Sequence, residues 1–239
     1  MKNGAKSQMS KKIIALALVA AGTVLVLSQS AQAQSTKAQK AVVTLSATEP
    51  FEFNGLDQSL NLGRSSVVNF GSGDFTVHLT VKFATLTNEG GPCFSESGCD
   101  MSLVDKMASP TEANSDGWRI LKQSDNRFWF CLGDFDNGCD GTPSSTTVIS
   151  QTEAQPGIWY SVTAVKASGL IKIYVDGVLE GTTVLGSFTN TDSADLRVGA
   201  NEPEGAFLAG AMGHVSLFRD ALNNGQVKAL HAQTLPAHS

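Results

Sequence analysis

The stretch DFTVHLTVKFATL, residues 74–86, decides the fold class. Phe75, Val77, Leu79, Val81 and Phe83 fall on one side of an extended chain, with Thr76, His78, Thr80 and Lys82 on the other. Side chains alternate between the two faces of a strand, so a period of two marks a half-buried strand. A helix would need apolar positions three and four apart. A second stretch, IKIYVDGVLEG at residues 171–181, repeats the pattern around a two-residue Asp-Gly. That dipeptide is the strongest short hairpin signal, because both its residues must take positive φ. Asp176 is therefore read as a bend and not as a working carboxylate.

The same reading outward places further strands at 59–62, 67–70, 102–107, 117–122, 127–132, 146–150, 158–166, 170–175, 178–184, 195–199 and 206–219. Turn signals such as GSGD, SDG, SDN and ASG separate them. Many short strands with Gly, Asn and Asp turns predict an all-β antiparallel sandwich or barrel. The aromatic and branched residues Phe70, Phe75, Phe83, Phe128, Phe130, Ile171, Ile173, Val175 and Leu217 supply one core, which Trp159 is expected to join. Only LNNGQVKALHAQ, near the end, reads as a short C-terminal helix. Asn223 or Asn224 is its cap, and Val227 and Leu230 dock on the sheet.

Residues 1–33 read as a secretory signal peptide. Four lysines (Lys2, Lys6, Lys11 and Lys12) precede an apolar run from Ile13 to Leu27, and small residues follow at Ala31 and Ala33. The apolar run is short for a membrane span, which needs about 20 residues, so the mature form is expected to have none. Residues 34–48 read as an N-terminal leader and 49–235 as one domain. Without the four lysines the net charge of −5 becomes −9. That surface excludes nucleic acid and anionic lipid as partners. The expected location is periplasmic or extracellular, and the oligomeric state is open.

In an exported chain the four cysteines, Cys93, Cys99, Cys131 and Cys139, read as two disulfides with three pairings available. Zinc is disfavoured, because the cysteine spacings do not suit it and no histidine lies near. If strands 102–107, 117–122 and 127–132 form a meander, Cys99 and Cys131 lie at opposite ends, roughly 17–20 Å apart. A bridge needs α-carbons within about 7 Å. The local pairs Cys93–Cys99 and Cys131–Cys139 are therefore preferred.

Three segments in order, DFTVHLTVKF, GIWYSVTAVKASGLIKIYVDGVLEG and LRVGANEPEGAFLAGAMGHVSLFRDALNNGQVKAL, resemble the laminin-G-like and pentraxin-like domains of the concanavalin A-like lectin/glucanase superfamily. The resemblance implies a two-sheet jelly roll over about residues 51–231. Thr80 stands where the family often has tryptophan, and Gly213 and His214 where it often has an acid. The family's calcium pattern falls by position on Asp116 and on the loop carrying Asn201, Glu202 and Glu204. The meander adds Asp134, Asp136, Asn137 and Asp140 to the end that holds Asp116. Calcium takes six to eight oxygen ligands, so a calcium ion at an acidic rim is expected. The competing reading is that Asp and Asn are simply good turn formers. DFDNGCDG is not an EF-hand loop, since its fifth position is Gly138 and its twelfth is not glutamate.

A glycan site at such a rim would use an aromatic platform, for which Trp118 and Phe135 are the candidates. No strand carries acids at i and i+2, and no G-x-S-x-G, H-E-x-x-H or Walker loop is present. The chain is accordingly read as a non-catalytic binding module for an extracellular or envelope glycan. A surface-protein-binding or envelope-structural module is the alternative.

Overall fold

The computed structural model describes residues 39–88, 98–107, 117–133, 144–186, 194–201 and 205–235. The expected signal peptide lies outside the described residues. Within them, twelve strands form two six-stranded sheets. The first sheet orders β1 (Val43–Asn54), β12 (Ala209–Phe218), β3 (Phe75–Phe83), β8 (Trp159–Ala167), β9 (Leu170–Val175) and β10 (Val178–Val184). The second orders β2 (Leu60–Asn61), β11 (Arg197–Val198), β4 (Met101–Lys106), β5 (Gly117–Lys122), β6 (Arg127–Gly133) and β7 (Thr147–Glu153). Neighbouring strands pair antiparallel throughout. This is the expected two-sheet sandwich, with one helix, α1 (Asn224–Thr234), near the C-terminus.

The alternating residues of β3 form the centre of the core. Phe75, Val77, Leu79, Val81 and Phe83 are fully buried with Met101, Leu103, Ile120, Phe128 and Phe130 of the facing sheet. Rings lock the layers together. Phe75 stacks on Phe70 at 4.7 Å, tilts against Trp118 at 5.6 Å and meets Phe130 edge-on at 6.1 Å. Aromatic pairs at such separations add about 0.5–1.5 kcal/mol beyond area burial. The Asp-Gly bend is as expected: Asp176 and Gly177 take φ of 49° and 75°, and Val175 pairs with Val178.

Three expectations of element or boundary are corrected. Residues 67–70 form no strand; a 3₁₀ turn occupies Ser66–Val68, its Ser65 side chain accepting from the Val67 amide. Trp159 is only partly buried, with the Lys82 ammonium 5.2 Å above its ring. β1 begins at Val43, so the expected domain start at 49 falls inside a strand. Its pattern is obscured because the register slips between Ser46 and Phe51, around Pro50. Proline cannot donate to a ladder and is tolerated on an edge strand, which β1 is.

The outer face of the first sheet mixes polar residues with an apolar patch and is covered in part by α1. Asn223 caps this helix, exchanging reciprocal hydrogen bonds with Gln226. Val227 packs on Val165, Tyr174, Phe218 and Leu222. Beneath it His78 is fully buried, with Nδ1 2.8 Å from Thr163 Oγ1 and Nε2 2.7 Å from Thr234 Oγ1. His231 reaches Ser161 Oγ at 2.7 Å, and the His214 ring lies 5.8 Å from that of His78. Burial, followed by the neighbouring imidazoles of His214 and His231, pushes His78 down to about 3.

A neutral buried imidazole makes stability fall on acidification. The unfolded chain takes up the proton near 6.5, whereas the folded chain resists until about 3. The unfolded state therefore binds more protons in that window, and stability present above pH 6.5 is lost as pH drops through it. Urea midpoints across this range should fall, and His78→Gln should flatten the slope by about one bound proton. Parallel slopes would show that His78 does not set the dependence.

Candidate functional site

The strand register decides which sequence candidates share a place. Gly117 pairs with Gly133, and Lys106 with Trp118. The segments carrying Asp116 and carrying Asp134, Asp136, Asn137 and Asp140 are therefore entered from one end of the second sheet, as the meander implied. Those residues, with Glu202, Glu204 and Phe135, lie outside the described residues. Asn201 belongs to the other end. It follows β11, whose continuation bonds along β4 toward Met101: Gly199 donates to Leu103 O, and Ser102 donates to Ala206 O. Of the eight expected metal ligands, Asn201 alone is described, and it is buried at the end opposite Gly117 and Gly133. Among the described residues no three His, Cys, Asp or Glu side chains are grouped to hold a metal ion.

The end that holds Asn201 has its own buried cation. The Lys122 ammonium is fully buried and donates to Leu86 O, Cys99 O, Gln123 O and Asn126 Oδ1 at 2.6–3.4 Å. Burial pushes Lys122 down to about 8, against the pull of Asp100 and Asp125. A lysine here gathers four oxygen atoms around its own charge. Sequence reading missed this, although a lysine closing the strand segment GWRILK after two apolar residues is an unusual signal.

Trp118 is no glycan platform. Register places it toward the core, where it is fully buried against Phe75 and Phe70. Cys131 is a correction as well. It lies inside β6, fully buried and free, beside Met107, Leu121 and Trp129, so the expected Cys131–Cys139 bridge is not formed. Strand position aims its side chain onto the sheet's outer face. Cys99 is buried and disulfide-bonded, its partner lying outside the described residues.

The outer face of the second sheet carries a buried ion pair that sequence reading also missed. Arg119 Nε donates to Asp105 Oδ2, and Asp105 Oδ1 accepts from the Met107 amide at 2.9 Å. Both side chains are at least 96% buried. Removing one partner of such a pair leaves an uncompensated buried charge, at a cost of about 3–5 kcal/mol. Arg119→Met should lower stability by that amount in urea titrations, and the double variant Asp105→Leu/Arg119→Met by less. Equal losses would mean that the pairing is not what matters.

Three further carboxylates are tied to the frame. Asp176 accepts from the Ser161 amide, and Asp74 from that of Ser168. Glu180 accepts from the amides of Gln151 and Thr152, each at 2.9 Å, and from Thr152 Oγ1 at 2.6 Å. This last clamp joins β7 to β10, the terminal strands of the two sheets. Beside it an open cleft of about 360 Å³ is lined by Ser144, Thr147, Val148, Ile149, Gly181, Thr182 and Thr183.

A family model described as the concanavalin A-like lectin/glucanases superfamily, of the laminin G type, matches residues 54–228. The chain belongs to that superfamily. No curated protein matches it. Among solved structures, the sandwich is similar to the CBM40 module of the Ruminococcus gnavus IT-sialidase, solved bound to α2,3-sialyllactose. The two share 14% identity at a TM-score of 0.59, over 80% of this chain and 100% of that one. It is also similar to domain 4 of AbnA, a GH43 extracellular arabinanase from Geobacillus stearothermophilus in complex with arabinotriose. There identity is 16% and the TM-score 0.52, over 80% of this chain and 82% of that one. The binding domain of Paraclostridial Mosquitocidal Protein 1 matches at 16% identity and TM-score 0.55, over 82% of this chain and 46% of that one. At these identities the likeness is one of fold.

Proposed function

We propose that this chain is an exported, non-catalytic binding module that recognises extracellular carbohydrate. The observation that carries the proposal is the extent of one match: the sialidase's CBM40 chain, solved with sialyllactose, is covered along its entire length. The arabinanase domain, solved with arabinotriose, adds a second neighbour whose ligand is a sugar. The roles of the described carboxylates agree, since Asp105, Asp176 and Glu180 are all engaged by frame donors. Export is supported by the basic and apolar pattern of residues 1–33. Among the described residues no helix is long and apolar enough to cross a membrane.

Calcium belongs to this proposal at the end entered through Gly117 and Gly133, with Asp116, Asp134, Asp136, Asn137 and Asp140 as ligands. We assign Cys93 as the partner of Cys99, because a bridge between them closes the shorter loop. Non-reducing peptide mapping should recover a Cys93–Cys99 pair; recovery of Cys99 with Cys139 would reverse the assignment.

A second reading, a protein-binding module, is favoured by the exposed apolar side chains of the edge strand β10: Val178, Leu179 and Val184. The mosquitocidal protein's binding domain shares the fold. A glycan array run with and without a chelator separates the two. Retention on polysaccharide supports the lectin reading, and a loss of tenfold or more on chelation supports calcium within it. No retention on any glycan, with capture of a cell-envelope protein instead, would overturn it.

A further inference from the structure

We propose that α1 is an acid-releasable strap, whose C-terminal half leaves the outer face of the first sheet on acidification while the sandwich stays folded. The two halves of this helix are held by different chemistry. In the first, Val227 is fully buried among Val165, Tyr174, Phe218 and Leu222, and the Tyr174 hydroxyl donates to Asn224 Oδ1 at 2.7 Å. In the second, Lys228, Ala229, Ala232 and Gln233 are exposed, and Leu230, His231 and Thr234 are half-buried. Hydrogen bonds through imidazoles tie this second half to the sheet. His78 Nε2 meets Thr234 Oγ1 at 2.7 Å, and His231 Nδ1 meets Ser161 Oγ at 2.7 Å.

The surroundings hold His78 in one neutral form. Thr234 Oγ1 donates its proton to Leu230 O at 2.8 Å, so it accepts from His78, whose Nε2 carries the ring proton. Nδ1 is then the acceptor for Thr163 Oγ1, 2.8 Å away. A second proton on Nδ1 would remove that acceptor and place a charge on a fully buried ring. The nearest rings would oppose it: His214 of β12 lies 5.8 Å away, and His231 reaches over from α1. Also facing this layer are Asp176, 4.0 Å from His231 Nδ1, and Lys228, whose Cα lies against Gly177. Lys172 and Tyr174 face it from β9, and Lys82 from further along β3.

The layer also holds polar atoms that the docked helix leaves unserved. Thr80 Oγ1, Ser216 Oγ and His214 Nε2 are buried without a hydrogen-bond partner. Thr80 pairs with His214 and Ser161, and His78 with Ser216, so these atoms adjoin the two imidazole ties. Unpaired buried polar atoms are costly, and lifting the end of α1 admits water to them. Once lifted, His78 titrates near the ordinary 6.5, whereas docked it stays neutral until about 3. The lifted form therefore takes up the proton first. Its population rises about tenfold for each pH unit below 6.5, and docking is favoured above that value.

The test is amide hydrogen exchange on the full mature chain at pH 7.5 and 4.5, corrected for the pH dependence of exchange in unstructured peptides. Protection of residues 230–234 should fall about 100-fold between the two. At both pH values it should stay at least tenfold below the protection of residues 77–81 in β3. His78→Gln, which keeps a polar side chain without a titrating ring, should cut the change at least tenfold. Thr234→Val should lower protection of this segment at pH 7.5 about tenfold, and Thr234→Ser should restore it. Equal protection in α1 and β3 would mean that the helix leaves only when the whole chain unfolds, and would overturn the strap without recourse to any variant. A 100-fold change that persists in His78→Gln would overturn the imidazole as its trigger.

Discussion

The contact on which this protein depends is that between the apolar face of β3 and the facing strands β5 and β6, joined through Phe75, Trp118 and Phe130. Each sheet has one greasy face, and neither is stable in water until that face is covered. Ring-to-ring packing across the gap does more than add area. It fixes where the layers sit against each other, and so which strand ends gather and which edges run side by side. Trp118, set beside an acid in sequence, is used up here. The core takes the large aromatic because burial is worth more to the fold than exposure.

With the interior so committed, chemistry is left to the places where a two-layer sandwich cannot close on itself. Three such places are resolved differently. On the outer face of the second sheet, Asp105 and Arg119 neutralise each other. At the end near Asn201, the lysine Lys122 brings its own positive charge to a ring of carbonyl oxygens. Along one side the edge strands β7 and β10 are clamped by Glu180. Local electrostatic demand is satisfied by the chain at each of the three.

Legibility followed the range of the interaction. The β3 pattern, the Asp176–Gly177 bend and the strands at 117–122, 170–175 and 178–184 depend on neighbours in sequence, and they were readable. β1 was not, because Pro50 and a register slip break its alternation, and its pairing partner β12 lies far along the chain. Residues 67–70 failed for the opposite reason: a short apolar run imitates a strand, while Ser65 caps a turn of 3₁₀ helix there. The acidic residues showed composition without place, since nothing local says which end of a sheet a loop will occupy.

By itself the sequence determined that the chain would form two antiparallel layers, because alternation of side chains is a local property that water enforces at every strand. Only the tertiary structure decided which polar residues remain available. Whether Asp105 meets Arg119, whether Cys131 points away from a partner, and whether Gly181 lets two edges touch all depend on register between segments distant in the chain. That register is set by packing across the core, which no short window of residues contains.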